Sequence, residues 1–215
     1  MNKLSIDDLQ LKDKTVLMRV DFNVPQNEDG TVRDDTRIVA ALKSIQYVRD
    51  QGGKLILMSH LGRPKPGKDN SKLKMDPVAD CLRALVGGNV TKADDIVGPE
   101  VEAAVAKLAP GDILLLENTR FHPGEETNDP ALSEQLAKLA DVYISDAFGT
   151  VHRAHASTEG VTKFIGQSAA GFLVAKEIAY IGGVLSNPKR PLVAILGGAK
   201  VSDKITVIDN LLNLV

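Results

Sequence analysis

The chain has 215 residues, 43% of them hydrophobic, 25% charged and 4% aromatic, with 26 Lys plus Arg against 28 Asp plus Glu for a net charge of -2. That balance excludes a protein that coats polyanions, and the lack of Trp removes the stacking platforms of a single-strand nucleic-acid binder. One cysteine, Cys81, excludes a disulfide framework, and no apolar run nears the roughly 18 residues of a membrane span; a cytoplasmic protein with neither nucleic acid nor membrane as partner is expected.

Short β-branched or leucine-rich runs alternate with amphipathic stretches along the chain. They predict strands at Thr15 to Val20, Lys54 to Met58, Asp112 to Leu116, Asp141 to Ser145 and Leu192 to Leu196. Between them, helices are predicted near Thr36 to Asp50, Pro77 to Val86, Glu100 to Leu108 and Pro130 to Leu139, with Asp129-Pro130 as a start signal and Gly52-Gly53 as a stop. A helix over Gly171 to Leu185 is followed by the breaker SNPKRP, and a last helical pattern runs from Ser202 to Val215. Cys81 sits in the helical pattern DPVADCLRAL as a small buried hydrophobe. The alternation implies an α/β fold: a three-layer α/β/α, Rossmann-like parallel sheet of about six strands. The expected organisation is a domain at 1–170, a connecting helix at 171–187 and the start of a further domain at 188–215.

Ligands of open parallel sheets bind beyond the carboxyl ends of the strands, and here those ends are strongly biased. At the end of the first strand come Arg19-Val20-Asp21-Phe22-Asn23; after the second, Ser59-His60-Leu61-Gly62-Arg63; after the third, Glu117-Asn118-Thr119-Arg120. The fourth leads into SDAFGTVHRAHASTEG, Ser145 to Gly160, which has neither strand nor helix periodicity and holds Asp146, His152, Arg153 and His155. The fifth ends in Gly197-Gly198-Ala199-Lys200. Basic groups converging on one sheet edge repel one another unless an anion neutralises them, and the arginine fork suits phosphate or carboxylate oxygens. His152, His155 and Asp146 lack a further close ligand set, so no metal site is expected, and His122 reads as loop structure.

One motif misleads. GRPKPGK, Gly62 to Lys68, has P-loop spacing after a strand, but Asp69 stands where Ser or Thr would bind magnesium, and Pro64 and Pro66 remove backbone donors. GGAKVSDK likewise lacks the third glycine of a dinucleotide fingerprint. A P-loop or Rossmann nucleotide enzyme is therefore disfavoured.

Six ordered strings, RVDFNVP (19–25), DDTRI (34–38), SHLGRP (59–64), LLLENTRF (114–121), SDAFGTVHRAHAST (145–158) and GGAKVSDKI (197–205), resemble phosphoglycerate kinase. The resemblance implies a two-domain enzyme that moves a phosphoryl group between 1,3-bisphosphoglycerate and ADP, giving 3-phosphoglycerate and ATP, with Mg2+ accompanying the nucleotide on the second domain. It implies that this chain corresponds to the acid-binding domain, the interdomain helix and the first strand and helix of the nucleotide domain, inactive alone, in a full-length form that is monomeric. Carried over by motif, the acid-binding residues are Asp21, Phe22, Asn23, Arg37, His60, Leu61, Gly62, Arg63, Arg120 and Arg153. Lys200 and Lys204 reach the nucleotide phosphates, and Arg37 with Lys200 would stabilise the transferring group. Asp21 would either accept a hydrogen bond from the acid's hydroxyl or orient an arginine. The alternative is a stand-alone anion-binding module without catalysis.

Overall fold

The computed structural model describes residues 3–186, 189–193, 195 and 205–212. They form two compact units, Met1–Ala175 and Lys176–Val215. In chain order the elements are β1 (Thr15–Arg19), α1 (Thr36–Asp50), β2 (Lys54–Met58), α2 (Asp76–Val86), β3 (Val90–Lys92), α3 (Pro99–Ala106), β4 (Ile113–Leu115), α4 (Pro130–Lys138), β5 (Val142–Ser145), β6 (Ser168–Ala170), α5 (Phe172–Ser186) and α6 (Ile205–Leu212). The six strands make one sheet in the order β3-β4-β2-β1-β5-β6, and every pairing is parallel.

The four inner strands β4, β2, β1 and β5 carry apolar runs such as Leu55 to Met58 and Ile113 to Leu115 without a polar alternate because both faces of the sheet are covered. Side chains alternate across a strand, so Val16 and Met18 join one core with Leu55, Leu57, Ile113 and Leu115. The stripes Ile38, Ala41, Ile45 and Val48 of α1 and Val78, Ala79 and Leu82 of α2 close that core. Leu17, Ile56, Leu114 and Tyr143 point the other way, into a second core capped by Val101 of α3 and Leu132, Leu136 and Ala137 of α4. Each fully buried Leu, Ile or Val contributes about 1.5–3 kcal/mol, so the two cores hold the sheet edge rigidly. The three-layer α/β/α expectation holds.

Helix boundaries follow local signals. The Asp129 side chain accepts from Leu132 N at 2.8 Å and Pro130 opens α4, while α1 stops ahead of Gly52 at φ +74°. Two strands escape sequence reading: β3 and β6 are three residues each and exist through pairing with β4 and β5 at the two sheet edges. Cys81 is half-buried against the first core, less enclosed than expected. The strand expected over Leu192 to Leu196 falls partly on Ala194 and Leu196, outside the described residues, as do Lys200, Lys204 and parts of the expected helix over Ser202 to Val215.

Candidate functional site

At the end of β1 the alternation that buries Leu17 also buries Arg19, which is 1% exposed. A charge so enclosed is stable only with partners. Its NH1 donates to the Val20 carbonyl (3.0 Å) and the Met58 carbonyl (3.3 Å), and Glu125 lies 3.9 Å from its NH2. The same NH2 faces Nδ1 of His60 at 3.2 Å. Burial, reinforced by the charges of Arg19, Arg120, Arg153 and His155, pushes the His60 pKa down to about 2. The ring is therefore neutral, and with Nδ1 accepting from Arg19 its proton sits on Nε2 as a fixed donor.

The next residues build a network across strand ends. Asp21 pairs with Arg37, half of whose side chain is exposed, and accepts from Asn23 N at 3.2 Å. This pairing holds the Arg37 guanidinium beside the loop after β1. Asn23 Oδ1 accepts from Gly62 N (2.8 Å), and the Gly62 carbonyl accepts from Arg120 NH1 (2.7 Å), so one turn is held from β1 and β4 at once. Gly62 is required there: its φ is +60°, and a Cβ would lie 2.6 Å from Leu73 Cδ2. Asn118 ties the same turn down, accepting from Leu61 N (3.0 Å) and Arg120 N (3.1 Å) and donating to the Leu61 and Leu73 carbonyls (2.7 and 2.9 Å). Phe22 and Leu61 are core side chains, and their amides are already spent on Ser59 Oγ and Asn118 Oδ1. They are scaffold, whereas Asn23, Gly62 and Arg120 stay half-exposed and Arg63 is exposed.

The segment after β5 lies beside β1's loop: a Cβ on Gly149 would meet Asp21 Oδ2 at 3.4 Å. Asp146, at its root, turns inward instead. Its Oδ1 accepts from Leu173 N (2.8 Å) and Val174 N (3.4 Å), capping α5, and Gly171 must lack a Cβ because one would sit 2.3 Å from this carboxylate. Burial raises the Asp146 pKa. His152 is exposed, His155 half-buried and His122 accepts from Gly124 N at 3.0 Å as a turn residue. Among the described residues no group of three or more His, Cys, Asp or Glu is placed to hold a metal ion.

Sequence reading missed the bracing of this edge by Arg19, Ser59, Asn118, Glu125 and Ser157, the first three of which it placed at strand ends without that role. Arg19 carried a usable signal, a charge at the inward position of the apolar run TVLMR. The others are recognised through partners distant in sequence, such as Glu125 with Ser157.

The basic residues come together. Besides burial, the pKa of Arg120 is drawn down by Arg153 and Arg63 and drawn up by Glu126, whose Oε1 is 2.9 Å from Arg120 Nε. Five arginines (Arg19, Arg37, Arg63, Arg120, Arg153) thus share the edge with three carboxylates, Asp21, Glu125 and Glu126. The guanidiniums of Arg63 and Arg153 have no hydrogen-bonded or ion-paired partner among the described residues. Such an excess of half-open, fork-shaped cations around a neutral histidine donor is suited to an anion with several oxygens. GRPKPGK is no phosphate loop: Lys68 N bonds the Lys65 carbonyl in a turn, and the next α-helix starts only at Asp76. Among the described residues no helix is long and apolar enough to cross a membrane.

Residues 6–215 match the family model described as Phosphoglycerate kinase. The phosphoglycerate kinases of Moorella thermoacetica and Chloroflexus aggregans are 61% and 56% identical over the whole chain, which covers 54% of each. The solved phosphoglycerate kinase of Coxiella burnetii superposes with a TM-score of 0.87 at 38% identity over 100% of this chain and 53% of its own, and that of Pyrococcus horikoshii with 0.85 at 31% over 98% and 52%. The chain spans about half the length of the curated relatives it matches. Motif order, sheet topology and this similarity along the full 215 residues agree: the chain belongs to the phosphoglycerate kinase family.

Proposed function

We propose that this chain carries the acid-binding half of a phosphoglycerate kinase, which transfers a phosphoryl group reversibly between 1,3-bisphosphoglycerate and ADP to give 3-phosphoglycerate and ATP. The observation that carries the reading is the surplus of arginine at the strand ends, with Arg63 and Arg153 left unpaired by the protein. A phosphate ester near neutral pH bears about -1.5 to -2 charge, given a second pKa near 6, and the carboxylate adds one more. Arg63, Arg120 and Arg153 hold this ligand, with His60 donating from Nε2 and Asn23 and Gly62 shaping the turn around it.

The acceptor oxygen is a carboxylate already ionised at pH 7, so no general base is needed and catalysis reduces to positioning and charge stabilisation. Arg37, held at the rim by Asp21, supplies one cation to the equatorial oxygens of the transferring group, and Lys200 supplies another. Lys200 and Lys204 contact the nucleotide phosphates. Mg2+ would accompany the nucleotide and offset the charge of its phosphates. The organisation that fits is an acid-binding domain at 1–170, a connecting helix at 171–187 and the beginning of the nucleotide domain at 188–215.

Calorimetric titration of 3-phosphoglycerate into the chain tests the reading. Saturable binding that is lost in the Arg63→Ala, Arg153→Ala double variant is expected; binding that survives both substitutions would place the acid elsewhere. A coupled assay of the purified chain is expected to show no ATP-dependent phosphorylation of 3-phosphoglycerate.

A further inference from the structure

Glu125 belongs to neither strand end nor helix, yet it is 0% exposed. A carboxylate without solvent must be held by donors, and it has them: Ser157 N at 3.0 Å and Ser157 Oγ at 2.5 Å. Its own carbonyl accepts from Ala156 N at 2.9 Å, and Arg19 NH2 and His155 Nδ1 each lie 3.9 Å away. Its neighbour Glu126 turns the opposite way to pair with Arg120. The two consecutive glutamates therefore join the segment that carries Arg120 to the one that carries Arg153, although 32 residues separate Glu125 from Ser157. Tyr143 completes the anchorage, its hydroxyl donating to the Ser157 carbonyl at 3.1 Å from beneath. The Arg153 guanidinium has no hydrogen-bonded partner among the described residues; only its backbone is held, by the Thr150 carbonyl (2.9 Å) and His155 N (3.0 Å), so its location depends on what fixes the backbone around it.

We propose that Glu125 is a positioning residue for the acid site: through Ser157 it sets the spacing between Arg153 and Arg120 and so tunes the site to a ligand with two anionic ends. The inference rests on the acid-binding reading above. It separates two ligands. A bridging acid such as 3-phosphoglycerate depends on the spacing, whereas inorganic phosphate can be held by whichever arginines remain in reach. General loss of structure would weaken both alike.

The test compares 3-phosphoglycerate and inorganic phosphate by calorimetry on the wild-type chain, Glu125→Gln and Ser157→Ala. Ser157→Ala keeps the backbone donor and removes only the hydroxyl, so it carries the test if Glu125→Gln does not fold. Expected are about a tenfold loss of 3-phosphoglycerate affinity in Glu125→Gln, a smaller loss in Ser157→Ala, and inorganic phosphate changed by less than about threefold in both. The double variant is expected to be no worse than Glu125→Gln alone. Unchanged 3-phosphoglycerate affinity in the folded variants, or equal losses for both ligands, would overturn the proposal. A wild-type chain that binds no 3-phosphoglycerate would overturn the acid-binding reading and this inference together.

Discussion

Two charged clusters sit at strand ends of the same sheet and differ in one respect. At the end of β3, the Lys92 side chain is 7% exposed and is ringed by Glu117 (2.8 Å), Asp94 (3.0 Å) and Asp76 (3.2 Å). Burial alone would lower its pKa, but the hydrogen bonds to Glu117 and Asp94 outweigh that and raise it. Glu117 is in turn bonded to Met75 N (2.8 Å) and Asn118 N (2.7 Å). Around Asp21, Glu125 and Glu126 the arginines outnumber the carboxylates that face them, and the Arg63 and Arg153 guanidiniums stay unpaired among the described residues. A cluster whose charges are met within the protein is structure, and a cluster with cations to spare is arranged for something that arrives.

The contrast can be broken by mutation. Lys92→Met strands the Glu117 carboxylate without its cation and is expected to cost roughly 3 kcal/mol of unfolding free energy, the low end for a buried pair because Asp76 and Asp94 reach solvent. Chemical denaturation measures this, and 3-phosphoglycerate affinity should hold in the folded fraction. Arg63→Ala and Arg153→Ala should behave oppositely. Each removes charge-assisted bonds worth about 1.5–3 kcal/mol, a loss of about 10- to 150-fold in 3-phosphoglycerate affinity, with stability changed by less than about 0.5 kcal/mol. If either cost stability as Lys92→Met does, the two clusters would be alike.

His60 sharpens the comparison through pH. Its folded pKa lies far below the ordinary 6.5, so the unfolded state binds the proton more readily, and the stabilising contribution present above pH 6.5 is lost as pH falls towards 2. Between pH 6.5 and 5 the loss is about 1.6 kcal/mol, since the unfolded ring is only half protonated at the upper limit. His155, whose pKa burial also lowers, acts in the same direction. Asp146, raised by burial, acts with opposite sign above the ordinary carboxylate pKa. Denaturation midpoints across this range should slope less steeply in His60→Gln than in the wild type; equal slopes would mean that the ring is not held neutral. The smallest effect is expected from Arg37→Ala, which breaks a half-exposed pair and should cost under about 1 kcal/mol of stability.

Much of this edge was legible in the sequence because strands buried on both faces announce themselves as apolar runs, and the residues after them are then known to lie together. The helix Thr36–Asp50 was readable to both ends from its turn residues. The strands Val90–Lys92 and Ser168–Ala170 were not, since three residues give no period and Ser-Ala-Ala has no β-branched side chain; tertiary pairing makes them strands. Arg63, Arg120 and Arg153 were visible as strand-end cations, while Phe22 and Leu61 turn out to be core. The bracing by Asn118 and Glu125 was invisible because it depends on contacts 57 and 32 residues away.

The most direct test is a crystal structure of the chain soaked with 3-phosphoglycerate. The phosphate is expected within hydrogen-bond distance of Arg63 and Arg153, with His60 Nε2 donating to the ligand and the Lys92 cluster unchanged. Ligand bound away from these arginines, or bound at the Lys92 cluster instead, would contradict the view that unpaired charge marks the site.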